Sequence, residues 1–165
     1  RIKSQGNRLS LELFDKGIFD TIGTDHCPIV KADKEKGLED VLAAPCGIPG
    51  LETALKLMLT GVNAGKTTLN RLVACMSENP AKIYGLYPKK GAIQVGTDAD
   101  LVILDMDKEE TLSNETVISK CGWTPYVGMT VKGVPKTVMV RGQVVFEGGK
   151  VVGKPGFGRF VPRQN

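Results

Sequence analysis

Ile18-Phe-Asp-Thr-Ile-Gly-Thr-Asp-His-Cys-Pro28 is the stretch of the sequence that says most about the fold. Its first part, Ile18 to Ile22, is largely apolar, and a β-branched pair followed by glycine predicts a short buried strand that ends in a turn. Asp25 and His26 follow at the point where the strand would meet a loop, which is where α/β barrels keep their catalytic groups. From this pattern, Asp25 is either a cap or turn residue, or a metal ligand and general base at the mouth of a barrel.

Composition indicates a globular protein. The chain has 165 residues, of which 41% are hydrophobic, and none of its apolar runs approaches the roughly 20 residues of a membrane span. The net charge of +4 comes from 22 basic and 18 acidic residues that are scattered along the chain, without a basic cluster. We therefore predict a cytoplasmic protein with neither a membrane nor a nucleic acid as partner. A chain that begins at Arg1 is expected to be part of a longer protein.

Metal-binding and thiol residues are few. The four cysteines form no C-x-x-C pair, and the pattern favours buried free thiols over disulfides; they are Cys27, Cys46, Cys75 and Cys121. Because the chain has a single histidine, a metal site built entirely within it would be hard to assemble.

Helical spacing of apolar residues dominates the first half of the chain. A short helix ending at Gly17 is predicted first, although alternating leucines there also allow a strand, and residues 29–46 read as a charged loop. A second helix begins near Leu51 and a third near Thr67. A fourth, short helix has Asn79 as its N-cap, Pro80 as its first residue and Gly85 just past its end; Pro and Gly occupy these positions in many helices.

One motif in this half invites a different interpretation. Gly61 to Thr67 resembles a phosphate-binding loop, but three residues instead of four separate its glycines, and no strand precedes it. We interpret it as the end of one helix and the start of the next.

After residue 88 the hydrophobic period changes from helical to β. Leu101 to Leu104 form a compact apolar strand, preceded by a turn in which Asp98 and Asp100 are interpreted as turn residues and not as a cation site. A hairpin is predicted around Arg141-Gly142, and Gly148-Gly149 marks a further turn. We interpret four positive residues as solvated surface: Lys89, Lys90, Arg159 and Arg163.

The chain therefore divides into an α/β section, residues 1–88, and an antiparallel β section, residues 89–165. One strand followed by helices is not a complete α/β fold, so the first section is expected to be the end of a larger structure.

Several motifs in this order resemble the cyclic amidohydrolases, the group of dihydropyrimidinase (hydantoinase), allantoinase and dihydroorotase. The motifs are Thr24-Asp-His-Cys-Pro28, Gly47-Ile-Pro-Gly-Leu-Glu-Thr53, Asn79-Pro-Ala-Lys-Ile-Tyr-Gly-Leu86, Gly96-x-Asp-Ala-Asp-Leu-Val102, Trp123-Thr-Pro-Tyr-x-Gly128 and Gly156-Phe-Gly-Arg-Phe-Val161. The resemblance implies an α/β fold in which this chain is the C-terminal part of a metal-dependent TIM barrel plus strands of a small β-sandwich domain.

The resemblance also implies roles for particular residues. Asp25 matches the aspartate that binds the more buried of two divalent metals, expected to be zinc, and that carries a proton from the attacking hydroxide to the leaving nitrogen. His26 would position Asp25 without binding metal. Backbone groups of Cys46, Gly47 and Pro49 would contact the substrate ring, Pro49 through its carbonyl alone because proline has no N–H. The remaining ligands, a His-x-His pair, a carbamylated lysine and two further histidines, would lie upstream of this chain.

Two departures bear on the substrate. Dihydroorotases usually have a histidine four residues after the aspartate, where this chain has Ile29, which favours a ring without the carboxylate. Dihydropyrimidinases often have asparagine where this chain has Pro49, which argues against a dihydropyrimidinase.

We therefore expect an enzyme that hydrolyses a cyclic amide, a dihydropyrimidine or a hydantoin, and that forms a homo-oligomer. Dihydroorotase or allantoinase activity and a non-catalytic, amidohydrolase-like interaction protein are the alternatives. This portion alone, without the N-terminal part of the same protein, is expected to be inactive.

Overall fold

A computed structural model describes residues 13–163 of the chain. Two compact units are formed. The first takes in the described residues of Arg1–Ile22, Gly61–Asp105 and Pro135–Asn165, and the second takes in Gly23–Thr60 and Met106–Val134. Both units draw on early and late parts of the sequence. Across residues 13–163, no helix has the length and apolar character needed to cross a bilayer.

The helices lie in the first half of the chain, as their periodicity predicts. Residues 13–15 are helical, and the N–H of Gly17 bonds to the carbonyl of Phe14 at 3.1 Å, so the predicted end at Gly17 is confirmed. The later elements are α1 (Lys31–Glu35), 3-10 turns at Lys36–Leu38 and Val41–Ala43, α2 (Leu51–Asn63), α3 (Leu69–Val73), a π-helical turn at Ala74–Glu78 and α4 (Asn79–Ile83).

The strands follow in the second half. They are β1 (Leu101–Thr111), β2 (Thr130–Val140), β3 (Gln143–Glu147) and β4 (Lys150–Val151), and they form one sheet in the order β1-β2-β3-β4. β2 pairs antiparallel with β3, with Val140 opposite Gln143, and β3 pairs antiparallel with β4. The predicted hairpin at Arg141-Gly142 is confirmed, because both residues have positive φ, 47° and 77°, as a two-residue type I′ turn requires. A 3-10 turn at Asn114–Thr116 lies in the connection between β1 and β2.

Each unit has its own small core. In the first unit, buried residues come from the helical segment and from β2: Phe14, Leu72, Cys75, Ala81 and Thr137. In the second unit, α2, β2 and the connection between β1 and β2 supply Thr53, Leu59, Leu112, Cys121, Thr124, Val131 and Val134. All four cysteines are free; Cys75 and Cys121 are buried as predicted, whereas Cys46 is exposed.

The predicted buried strand at Ile18 to Ile22 is wrong. These residues have no regular structure, and Ile18 and Phe19 are 60% and 42% exposed. Their backbone groups bond to the helical segment instead of to a neighbouring strand. The Ile22 N–H donates to the Cys75 carbonyl at 3.2 Å, and the Phe19 carbonyl accepts from the Arg71 guanidinium. Because a strand exists through its pairing with another strand, an apolar run without such a partner among residues 13–163 cannot form one.

Asn79 is not an N-cap, contrary to the prediction. The helical backbone runs from Leu69 through the π-helical turn into α4, so Asn79 has helical φ and ψ, −64° and −45°. Its side-chain amide donates to the carbonyl of Asp20 at 2.9 Å. The predicted end of this helix is confirmed, since Gly85 has a φ of +67°.

Lys90 is not solvated surface. Its side chain is 16% exposed, and its ammonium bonds to Asp98 at 2.9 Å and also to Asp100. Burial lowers the pKa of Lys90, but the hydrogen bonds that its ammonium donates to Asp100 and Asp98 outweigh this and raise the pKa overall. The hydrogen bond from Lys90 lowers the pKa of Asp98. The backbone N–H of Arg141 also donates to Asp100 at 2.8 Å, so this turn is tied to the β2–β3 hairpin.

The segment between residues 29 and 46 contains more structure than a loop. Besides α1 and its two 3-10 turns, the ammonium of Lys34 donates to the carbonyl of Pro45 at 2.6 Å. The predicted end of α2 beyond Gly61 is confirmed, with Gly65 at a φ of +67°, and Thr68 caps α3 by accepting from the Arg71 N–H at 3.1 Å.

Candidate active site

Asp25 has an unusual backbone conformation. Its φ is +45°, one of two positive values among the non-glycine residues from 13 to 163. Aspartate tolerates this region better than most residues, and conformations of this kind cluster at functional sites. Its side chain is exposed, and within the described part of the chain no hydrogen bond or ion pair to its carboxylate is found. The carboxylate is therefore available to a ligand.

His26 is held by the start of helix α2. Its Nδ1 accepts hydrogen bonds from the backbone N–H groups of Gly50 at 3.1 Å and Leu51 at 3.2 Å. These are orphan donors of a helix start, which a side-chain oxygen satisfies in most helices. An Nδ1 that accepts two hydrogen bonds places the proton of a neutral imidazole on Nε2. These hydrogen bonds attach His26, the residue next to Asp25, to the start of α2.

The segment 46–49 lies beside Asp25 and His26. His26 and Ile48 form a parallel β-bridge, and the Cys27 N–H donates to the Ile48 carbonyl at 3.1 Å. The thiol of Cys27 contacts the carbonyl of Cys46 at 3.7 Å. The structure therefore brings Cys46, Gly47 and Pro49 next to the stretch that contains Asp25.

Glycine is required at position 47. Its φ is +110°, and a Cβ there would lie 2.4 Å from the Cβ and 2.7 Å from the Sγ of Cys27. No larger residue allows this close approach of the two segments. Of the other two predicted ring-contact residues, Cys46 is exposed and Pro49 is buried.

A small cavity lies next to His26. It has a volume of about 20 Å³, and its lining comes from His26, the residues just before α2, the first turn of α2 and the connection between β1 and β2: His26, Pro49, Gly50, Glu52, Thr53, Val117, Trp123 and Thr124. A volume of this size holds about one water molecule. It is too small for a heterocyclic ring, so a substrate would have to meet the exposed side on which the Asp25 carboxylate lies.

Metal-ligand groups do not cluster in the described part of the chain. No group of three histidine, cysteine, aspartate or glutamate side chains lies close enough to hold a metal ion within residues 13–163. A hard or borderline cation accepts carboxylate oxygen, so Asp25 suits the role of a single ligand.

Two residues that lie in the quoted motifs, but to which the sequence assigned no role, are close to the site. Glu52, in the first turn of α2, accepts hydrogen bonds from the backbone N–H groups of Ile118 at 2.9 Å and Ser119 at 2.7 Å. The indole N–H of Trp123 donates to the carbonyl of Ile29 at 2.7 Å. Both contacts join residues more than 60 positions apart, and local patterns carry no signal for such pairs.

Comparison with known proteins identifies the family of the chain. The family described as "Amidohydrolase family" matches residues 3–145, most of the chain and all of the stretch from Asp25 to Pro49. This chain belongs to the amidohydrolase family.

Individual amidohydrolases are similar to the chain over nearly all of its length. An L-hydantoinase from Paenarthrobacter aurescens is 48% identical over 93% of this chain and 34% of its own. A dihydroorotase from Pyrococcus horikoshii is 42% identical over 87% of this chain and 32% of its own. The solved structure of the L-hydantoinase (dihydropyrimidinase) from Arthrobacter aurescens matches with a TM-score of 0.92 and 46% identity, covering 98% of this chain and 36% of that one. The chain therefore spans about a third of the length of these relatives.

Proposed function

We propose that the whole protein to which this chain contributes hydrolyses a cyclic amide, opening a hydantoin or dihydropyrimidine ring. The observation that carries this proposal is the 48% identity to an L-hydantoinase over 93% of the chain. The family match includes Asp25, His26 and the segment 46–49, which lie together in the second unit. In the reaction, water adds to the ring carbonyl and the amide C–N bond breaks. The carbonyl carbon becomes a carboxylate, and the leaving nitrogen gains one proton.

Asp25 is proposed as the proton carrier. Its carboxylate would take a proton from the attacking water and deliver it to the ring nitrogen as the C–N bond breaks. A positioned general base and acid of this kind contributes about 10²- to 10⁴-fold to a rate. The positive φ of Asp25 and the anchoring of His26 on α2 favour this role, because they hold the carboxylate in one place on the exposed side.

Asp25 is also the residue of this chain proposed to hold a divalent metal, as one ligand of a site that two zinc ions would occupy. When bound, the metals would lower the pKa of water and polarise the amide carbonyl. The other ligands would come from the N-terminal part of the same protein.

The segment 46–49 is proposed to orient the ring. Backbone groups of Cys46 and Gly47 would bond to the polar edge of the cyclic amide, whereas Pro49 has a carbonyl but no N–H to offer. The β-bridge between His26 and Ile48 supports this role, since it fixes the segment beside Asp25.

In the whole protein, residues 1–88 would complete a TIM barrel with its last strand and following helices, and residues 89–165 would belong to a β-sandwich domain. Ile18 to Ile22 would then pair with strands from upstream, in place of the exposed conformation found here. A cytoplasmic homo-oligomer that binds neither nucleic acid nor membrane is part of the same proposal.

The test is hydrolysis by the full-length protein. We expect turnover of hydantoin or dihydrouracil in the presence of zinc, and a loss of about 10²- to 10⁴-fold in kcat in Asp25→Asn. We expect none from the 165-residue chain alone. A full-length protein that binds metal but opens none of hydantoin, dihydrouracil, dihydroorotate and allantoin would refute the proposal and favour a non-catalytic interaction protein.

Dihydroorotase activity is the second candidate. The identity of 42% to a dihydroorotase favours it, and the isoleucine at position 29 argues against it. Dihydroorotate in the same panel decides between them: a kcat/KM for dihydroorotate above that for hydantoin and dihydrouracil would replace the first proposal, and allantoin tests allantoinase activity in the same way.

A further inference from the structure

The connection between β1 and β2, residues 112–129, is long for a link between neighbouring strands. Connections of more than about 12–15 residues are uncommon in compact domains, and those that are ordered usually serve function. This one is well anchored. The Leu112 N–H donates to the Met129 carbonyl and the Gly128 N–H to the Leu112 carbonyl, both at 2.9 Å, and the Asn114 side chain accepts from the Thr124 N–H at 3.0 Å. The connection is therefore a fixed platform.

The platform contacts the candidate site at two places. At the first, the indole N–H of Trp123 donates to the carbonyl of Ile29, four residues after Asp25, at 2.7 Å. At the second, the carboxylate of Glu52 accepts two backbone N–H groups of the platform, at 2.7 and 2.9 Å. Glu52 is in the helix whose first N–H groups bond to His26. Two residues that follow Asp25 are thus tied to the platform, His26 through α2 and Ile29 directly.

The hydrogen bonds of Glu52 and Trp123 are well suited to hold the backbone of the site in a fixed position. Hydrogen bonds to a charged acceptor are about twice as strong as neutral ones, and Glu52 makes two of them. Glu52 and Trp123 also line the cavity of about 20 Å³ together with His26, the residue that forms the β-bridge to Ile48. Neither side chain needs to meet the substrate to influence the site.

We propose that Trp123 and Glu52 are positioning residues. They hold the backbone from Asp25 to Ile29 in a fixed position relative to the start of α2. This inference rests on the proposed function for its kinetic consequence, but its structural part is independent of the substrate. A misplacement of about 1 Å in a catalytic group can cost on the order of 100-fold in rate. Loosening either contact should therefore lower kcat more than it weakens substrate binding.

The experiment uses the full-length protein and three variants. Trp123→Phe removes the indole donor and keeps an aromatic ring, and Glu52→Gln keeps one acceptor oxygen of the two. The control is Glu110→Gln, which weakens the 2.6 Å ion pair between Glu110 and Lys56 and so disturbs α2 on a contact to β1 that does not involve the platform. Hydrolysis kinetics are measured with hydantoin and dihydrouracil, and hydrogen exchange is followed by mass spectrometry in peptides covering residues 24–30.

We expect Trp123→Phe to lower kcat about 10- to 100-fold with KM changed less than about threefold, and Glu52→Gln to give a smaller loss of the same kind. Amide hydrogen exchange in residues 24–30 should be about fivefold faster in Trp123→Phe than in the parent, because the loss of one ordinary hydrogen bond corresponds to about that factor. In Glu110→Gln the exchange rate should equal that of the parent.

The experiment distinguishes a failure of the proposed function from a failure of the positioning role. A parent protein that opens no ring amide refutes the proposed function, and the exchange measurement still tests the positioning contact. If exchange in residues 24–30 and kcat in Trp123→Phe both match those of Glu110→Gln, the positioning role is wrong. The same holds if kcat falls with no change in exchange, since the indole would then act by some other route.

Discussion

Gly47→Ala is the substitution whose effect follows most directly from the geometry. The new Cβ would lie 2.4 Å from the Cβ and 2.7 Å from the Sγ of Cys27, distances that real Cβ atoms do not adopt. The φ of +110° adds a second penalty, because side-chain-bearing residues rarely adopt that conformation. The segments 24–27 and 46–50 would have to separate, and these two segments contain every site residue predicted from the sequence.

The two penalties can be estimated separately. Holding alanine at this φ costs about 1–3 kcal/mol. Overpacking against Cys27 costs about another 1–3 kcal/mol. Alanine lowers the entropy of the unfolded chain, which returns about 0.4–1 kcal/mol. The free energy of unfolding should therefore fall by about 1–6 kcal/mol.

Urea unfolding of the full-length protein, followed by circular dichroism, measures this change. Gly61→Ala is the matched control: Gly61 lies inside α2 with no atom within 4 Å of the added Cβ, so alanine should stabilise the protein by about 0.5–1 kcal/mol. In a Cys27→Gly background the overlap is gone and the backbone penalty remains, so Gly47→Ala should cost about 1–3 kcal/mol less there. A cost for Gly47→Ala that is under about 1 kcal/mol, or equal in the two backgrounds, would refute the close approach of these segments.

Three further predictions concern anchoring and charge. His26→Ala removes the acceptor for two N–H groups at the start of α2 and should cost about 0.5–2 kcal/mol in urea unfolding, with His26→Asn less harmful; equal costs would contradict the cap. Thr68→Ala should cost about 1 kcal/mol and Thr68→Ser much less, because the serine hydroxyl can still cap α3. The ion pairs of Lys90 predict the pH dependence. The lowered pKa of Asp98 stabilises the fold above about pH 4 and this contribution is lost on further acidification, whereas the raised pKa of Lys90 gives a contribution that is lost above about pH 10.5. The urea midpoint of the parent should fall between pH 5 and pH 2, and Asp98→Asn should make this fall smaller. A fall as large as that of the parent would rule out this contribution.

Local chemistry explains the parts of the fold that the sequence predicts well. The Arg141-Gly142 hairpin needs two residues that accept positive φ between strands of β-branched residues, and both requirements can be read from a few neighbouring letters. The helix end at Gly85 is predicted for the same reason. The apolar spacing of α2 follows from its own sequence, since one face of the helix must be buried.

The errors arise where distant residues decide the structure. Ile18 to Ile22 have the composition of a strand, but a strand needs a partner, and here the backbone bonds to the helical segment near Cys75 instead. Asn79-Pro80 has the signature of a helix start, but the π-helical turn continues the helix through it. The side chain of Asn79 then bonds to Asp20, 59 residues earlier, which no local pattern reveals.

The candidate site also has a part that the local sequence predicts and a part that distant residues decide. Asp25 and His26 are conspicuous because a charged and an ionisable residue follow an apolar run, and the motif resemblance extends this to the segment 46–49. What holds the site is not local: Glu52 bonds to residues 66 and 67 positions away, and Trp123 to Ile29, 94 positions away. Such contacts depend on how the connection between β1 and β2 folds over α2, which spacing alone does not specify.

The central claim is that Asp25 binds the metal and carries the proton for ring opening. The most direct measurement compares full-length parent and Asp25→Asn for bound zinc and for the kcat of hydantoin and dihydrouracil hydrolysis, with Glu147→Gln as a control at an exposed carboxylate on β3. We expect Asp25→Asn to lose metal and to lower kcat about 10²- to 10⁴-fold, and Glu147→Gln to retain both. An Asp25→Asn protein with parental zinc content and a kcat within about threefold of the parent would contradict the claim.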